Sequence, residues 1–150
     1  MFMKLEDEIK QPSFLSNNHK ASLNVLFTAN WLLNKYEDIV KPYGITVQKF
    51  NVLRILRGQN PKAISASEIK SRMLDKNSDI SRILDRLSLK GFIAKEQNKY
   101  DKRASDVTIT QKGMELLEIM TKEQANLDAI NSLSDEESAR LSDLLDSFRG

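Results

Sequence analysis

The chain has 150 residues, 40% of them hydrophobic and 29% charged, with a formal net charge of +2; this is one domain's worth of sequence without the signature of a disordered chain. It contains no cysteine, which excludes disulfides, cysteine-ligated zinc and thiol-based redox sensing by this chain. No apolar run approaches the ~20 residues that cross a bilayer, and the opening MFMKLEDEIK is too acidic for a secretory signal, so a cytoplasmic protein without membrane contact is expected.

The small net charge conceals a division. Residues 1–61 hold 8 Lys/Arg against 5 Asp/Glu, residues 62–112 hold 12 against 7, and residues 113–150 hold 3 against 9. Phosphate attraction would act on the middle of the chain, while the acidic tail would avoid a polyanion.

In chain order, residues 1–12 are polar and mixed in charge and end in Pro12, which suits a loose arm or a short helix. A long helix is predicted from Phe14 to about Val40. Between Leu23 and Leu33 it is apolar around much of its circumference, so it requires cover on more than one side. Pro42 and Gly44 end it. Thr46 is a good N-cap for a second helix to about Arg57, in which Val47, Phe50, Leu53 and Leu56 step by three and predict a broad buried face. Gly58, Asn60 and Pro61 break the chain. Ser65-Ala66-Ser67-Glu68 then has the capping-box arrangement and opens a short helix to about Met73.

The next helix, predicted over 77–90 with Asn77 as its cap, has two faces. At roughly 100° per residue, Ile80, Ile83, Leu84 and Leu87 form one stripe, while Ser78, Ser81, Arg82 and Asp85 lie opposite. Leu89 falls on the polar face. Gly91 stops the helix. A hairpin follows over 92–110, with Phe92 and Ile93 beginning one strand and Val107 and Ile109 on one face of the other. Its polar tip carries Lys99, Tyr100, Lys102 and Arg103. Beyond Thr110 comes a helix with Leu116, Leu117, Met120 and Leu127 apolar. Ser134-Asp135-Glu136-Glu137, a second capping box, opens a last helix bearing Leu141, Leu144, Leu145 and Phe148 on one side.

Two helices joined by a tight turn and followed by a β-hairpin make a winged helix-turn-helix, here over 46–110. The fold class expected is therefore mainly α with a small β-hairpin wing. A recognition helix with small polar and arginine residues outward fits the major groove of double-stranded DNA, and a basic wing reaches an adjacent minor groove. The helices over 14–45 and 111–150 carry more apolar surface than the winged helix can cover. A homodimer built on these terminal helices would bury it, and would place two recognition helices about one DNA turn apart.

The run Asp101-Lys102-Arg103-Ala104-Ser105-Asp106-Val107-Thr108-Ile109-Thr110-Gln111-Lys112-Gly113, with the preceding Ser78…Ser81-Arg82…Asp85…Leu87…Gly91 pattern, resembles the MarR family of bacterial transcription regulators. That family's wing has the form D-x-R, three residues, then Val-x-Leu-Thr-x-x-Gly; Ile109 stands here for the usual Leu. The resemblance covers nearly the whole chain as one domain. It implies that Asp101 braces Arg103 through a charge-assisted bond, holding the guanidinium for the minor groove. It implies a repressor of a pseudo-palindromic operator, released by a small, often aromatic effector bound where dimerisation helices meet the winged helix. Phe27, Trp31 and Tyr43 are the candidate effector contacts.

From the residues themselves, Arg82 is the best base-reading candidate, since a guanidinium can grip guanine O6 and N7 with two bonds. Asn77, Ser78 and Ser81 can meet phosphates or base edges. Arg86, about 40° further around the helix, is placed for backbone phosphate, as are Lys99 and Lys102 at the wing. His19 is the only histidine; a transition-metal site is poorly supplied, and no metal or other cofactor is expected. There is no Gly-rich phosphate loop, no triad and no paired carboxylates, so an enzyme is not expected. The rival reading is a winged helix used for protein–protein contact, such as an antirepressor without its own DNA target. Arg82, Arg103 and the basic middle third weigh against it.

Overall fold

The structure, a computed structural model, describes residues 2–130 and 132–150. A four-residue helix α1 (Leu5–Glu8) precedes the long α2 (Asn17–Val40), and a single 3₁₀ turn at Lys41–Tyr43 leads into α3 (Val47–Gln59). A short strand β1 (Ile64–Ser65) runs directly into α4 (Ala66–Arg72), followed by α5 (Ile80–Leu89), the hairpin β2 (Ile93–Gln97) and β3 (Ser105–Ile109), then α6 (Gln111–Ile130) and α7 (Asp135–Arg149). Among the described residues no helix is long and apolar enough to cross a membrane.

The sheet has three antiparallel strands in the order β1-β3-β2. Ile64 pairs with Val107 across one side of β3, and Lys95 pairs with the same Val107 across the other. The third strand is an addition to the two-stranded wing expected from sequence. Two residues are too few to show alternation, and Ile64 reads as the end of a loop until Val107 is beside it. Burial fades outward along the wing: Ile93 is buried while Ala94 to Gln97 are exposed, because β2 leaves the core there.

One core unites the winged helix with the adjoining ends of the terminal helices. Phe50, Leu53 and Leu56 of α3, Ile69 of α4, Leu84 and Leu87 of α5, Val107 and Ile109 of β3, and Leu117 and Met120 of α6 are all buried in it. The step-by-three pattern of α3 does bury a broad face, extending to Val52 and to the polar Lys49 and Asn51. By contrast, Val40 is the one residue buried on α2. Leu26 is 62% exposed and Trp31 49%, with Leu33 also open. Leu141, Leu144 and Phe148 of α7 are likewise exposed.

Helix starts follow local hydrogen bonding. Ser16, Thr46 and Ser65 each accept the backbone N–H three residues on. At Ser65 the box is half formed, since the Glu68 carboxylate turns instead to Arg72, 3.4 Å away. At Ser134 both halves are present: its hydroxyl accepts the Glu137 N–H, and the Glu137 carboxylate accepts the Ser134 N–H at 2.8 Å. That geometry holds the Glu137 carboxyl below its ordinary range.

Candidate nucleic-acid interface

The interface is built on three pieces: the turn and helix α5, the groove beside α3, and the wing. Asn51 shapes the turn from beneath. Its buried side-chain oxygen accepts the Leu74 N–H at 2.9 Å, fixing the exit of α4. Helix α5 begins later than expected. Asp79, not Asn77, is its cap, accepting the Arg82 N–H at 3.2 Å. Asn77 instead donates its backbone N–H to Asp75 Oδ1 in an Asx turn. The helical register therefore starts at Ile80, and residues 77–79 belong to the turn.

This shift changes one candidate outright. Ser78 is not on the outward face: it is 7% exposed and its hydroxyl donates to the Asp75 carbonyl at 2.8 Å. A hydroxyl spent this way stabilises the turn rather than meeting a ligand. Ser81, Arg82, Asp85 and Arg86 are exposed on α5, opposite the buried Ile80, Leu84 and Leu87. Leu89, on the same outer side, is 88% exposed, and no contact in the structure explains it.

Asp85 is engaged by the wing. Lys95 of β2 donates to its carboxylate at 2.5 Å, tying the helix to the strand. Beside this pair, Ser81, Lys95 and Arg103 line one shallow groove together with Ser65 and Ser67 at the start of α4. The structure thus brings together the middle of α5 and the base of the wing tip.

The tip is organised by Asn98, which sequence reading passed over. Its side-chain oxygen accepts the N–H groups of Tyr100 and Asp101, at 2.8 and 3.0 Å, and its amide group donates to the Asp106 carboxylate. Asp101 does brace Arg103, but through the backbone: Asp101 Oδ1 accepts the Arg103 N–H at 3.0 Å. Among the described residues there is no Asp101–Arg103 ion pair, so the guanidinium is not held by that carboxylate as expected. Lys99, Lys102 and Arg103 are exposed, and Tyr100 stands 97% exposed beside them.

Two other lysines serve as straps. Lys112 donates to the Lys90 carbonyl at the end of α5, at 2.8 Å, and lies over the Phe92 ring. Lys90 reaches across to the Gly44 carbonyl at 2.6 Å. Cations placed on helix-end carbonyls stabilise the fold. They account for part of the basic excess as exposed lysines whose ammonium groups are engaged by backbone carbonyls.

The aromatic candidates do not converge within one chain. Phe27 is half-buried and Trp31 exposed on α2, whereas Tyr43 follows the far end of that helix. At 1.5 Å per residue, Phe27 lies about 20 Å from that end. Tyr43 donates its hydroxyl to Glu123 of α6 at 2.9 Å, and this bond, with burial, raises its pKa above the ordinary phenol value.

Residues 45–105 match the model of the MarR family. Among curated proteins, the chain is similar to the HTH-type transcriptional regulators PapX of Escherichia coli, 25% identical over 77% of this chain and 70% of PapX, and PecS of Dickeya dadantii, 28% identical over 73% and 68%. It is also similar to the transcriptional repressor MprA of Escherichia coli, 28% identical over 63% of this chain and 54% of MprA. Apo MarR from Escherichia coli superposes with a TM-score of 0.63 at 25% identity, covering 83% of this chain and 93% of MarR. A MarR variant complexed with operator DNA gives 0.69 at 24% identity, covering 97% and 98%. Bordetella bronchiseptica BpsR, whose DNA binding is regulated by 6-hydroxynicotinic acid, gives 0.75 at 19% identity, covering 91% and 98%; these last two likenesses concern the fold. The relatives are transcriptional regulators rather than enzymes.

Proposed function

We propose that this chain, whose residues 45–105 match the model of the MarR family, is a dimeric, sequence-specific regulator of transcription that binds duplex DNA. The observation that carries this reading is the shared groove in which Ser81 of α5 meets Arg103 of the wing. Duplex DNA has a major groove wide enough for a helix and an adjacent minor groove that draws arginine. Arg82 would read a base edge, Arg86 and the wing lysines would hold backbone phosphate, and Arg103 would enter the minor groove. Ser81, exposed on α5, would meet a phosphate or base edge.

The exposed apolar faces of α2 and α7 support a homodimer in which these helices meet their symmetry mates, presenting two recognition helices to a pseudo-palindrome. Repression and release by a small aromatic effector complete the proposal, supported by the likeness to MprA and BpsR. Phe27, Trp31 and Tyr43, which do not converge within one chain, would contact the effector from two protomers. An effector would act by favouring one spacing of the recognition helices over another, which requires it to bind the two arrangements with different affinity.

The test is fluorescence anisotropy with a duplex from the region upstream of the chain's own gene, titrated at several salt concentrations. Binding should tighten steeply as salt falls, with a preference over random duplex. Failure of micromolar protein to bind either duplex at low salt would sink the reading.

A further inference from the structure

Lys49 was not among the candidates from sequence, yet its environment is unusual. It lies in the first turn of α3, where its backbone N–H is received by the Thr46 hydroxyl. The residue is only 8% exposed, and it lines a groove shared with Arg82 and Arg86 of α5. Among the described residues no hydrogen bond or ion pair engages its ammonium. Two carboxylates line the same groove, Asp75 accepting the Asn77 N–H and Asp79 the Arg82 N–H, and among the described residues neither forms an ion pair with Lys49. Burial, and then the charges of Lys90, Arg86 and Arg82, push the Lys49 pKa down.

A nearly buried cation facing other cations is costly in the free protein, because nothing returns the solvation it loses. Such a group is favourable only when an anion supplies the missing partner. Thr46 and Gln48 at the α3 N-terminus line the same groove, and helix N-termini favour negative charge.

We propose that Lys49, with Arg86, forms a phosphate site in the groove between α3 and α5, beside Arg82, and that its occupant is a backbone phosphodiester of the bound duplex. This rests on the DNA-binding reading and adds to it. Arg82 approaches the base edges from one side of the groove while Lys49 anchors the strand from the other, so the depth of α5 in the major groove is set by α3.

The experiment compares wild type, Lys49→Met and Lys49→Arg by anisotropy on the upstream duplex and on a random duplex, across salt concentrations. A phosphate contact is blind to sequence. Lys49→Met should therefore weaken both duplexes similarly and lower the slope of log affinity against log salt by about 0.9. Lys49→Arg should retain most of the slope. In parallel, free Lys49→Met should be at least as thermostable as wild type, which separates lost binding from lost folding. A wild-type slope in Lys49→Met would overturn the proposal. A second arm uses inorganic phosphate against chloride at matched ionic strength. If wild type binds neither duplex, but phosphate raises its melting temperature and Lys49→Met abolishes the rise, the anion site stands and the DNA reading falls. No DNA binding and no phosphate effect would remove both.

Discussion

Gly113, the last residue of the wing motif, gives a prediction whose size follows from the structure. An alanine Cβ there would sit 2.2 Å from the Phe92 carbonyl oxygen, 2.8 Å from Ile109 Cγ1 and 3.1 Å from the Phe92 carbonyl carbon. The Phe92 carbonyl cannot swing aside freely, because it accepts the Thr110 N–H at 3.1 Å. Thr110 in turn donates its hydroxyl to the Gly91 carbonyl and accepts the Gly113 N–H. Overpacking costs about 1–3 kcal/mol, and a peptide as the obstacle points to the upper end. Losing the Thr110–Phe92 bond adds about 1 kcal/mol. Alanine's helix preference and its smaller unfolded-state entropy return about 1 kcal/mol. Gly113→Ala should thus lose about 3 kcal/mol, or about 6–12 °C in Tm for a chain of this size. Thermal and urea unfolding by circular dichroism would measure it, at fixed protein concentration because association shifts Tm. Gly91→Ala is the control. There φ is +77° but the nearest atom to a Cβ is a flexible Lys112 carbon at 3.8 Å, so only left-handed strain of about 1–2 kcal/mol is incurred. A Gly113→Ala protein as stable as wild type, or more stable than Gly91→Ala, would refute this account of the seam.

Arg82→Ala should relax preference at one base pair per half-site by roughly 1–3 kcal/mol; equal losses on specific and random duplexes would assign Arg82 to phosphate instead. Arg103→Ala should make the salt slope shallower by about one phosphate contact, read from the same titrations. Sedimentation equilibrium at micromolar concentration should give about twice the 17.2 kDa chain mass, and a monomer would end the dimer proposal. The capping box predicts an acid dependence. The Glu137 carboxyl is depressed by the Ser134 N–H and hydroxyl, so its contribution is present at neutral pH and lost as pH falls through the depressed value. Protection of the amides at the start of α7, corrected for the intrinsic pH dependence of exchange, should therefore fall on acidification in wild type and fall less in Glu137→Gln.

Periodic features were legible from sequence because they are repeated along an element. The apolar stripes of α3 and α5, the hydroxyl caps at Thr46, Ser65 and Ser134, and the strands around Ile93 and Val107 all fall where side-chain spacing places them. What escaped was decided by single bonds in the turn and by distant neighbours. Asn77 and Asp79 are both good caps in sequence. The choice goes to Asp79 because Asp75 engages Asn77 and Ser78 first, which moves Ser78 inside. Strand β1 exists only through Val107, some 43 positions away. Lys49 reads as an ordinary surface lysine until α5 is packed across it. Asp101 has a plausible partner in the Arg103 guanidinium, and only turn geometry shows that the backbone N–H is nearer.

The pattern of burial also says where the molecule can move. The core closes the winged helix around α3, α5 and β3 and includes Leu117 and Met120 from the first half of α6. Beyond these, polar pairs fasten α6 to the 3₁₀ turn and to α3: Tyr43 to Glu123 at 2.9 Å and Arg57 to Thr121 at 3.4 Å. The outer faces of α2 and α7 instead leave Leu26, Trp31, Leu33, Leu141, Leu144 and Phe148 exposed. A dimer formed on those faces would therefore carry each winged helix, with the first half of α6 packed into its core, as a rigid unit. Since packed cores resist continuous deformation, a change at the dimer helices would alter the separation of two intact winged helices rather than reshape either one. Spacing is also the quantity that DNA with half-sites one turn apart discriminates. Affinity for such an operator would then be set at the dimer interface, and sequence preference at Arg82.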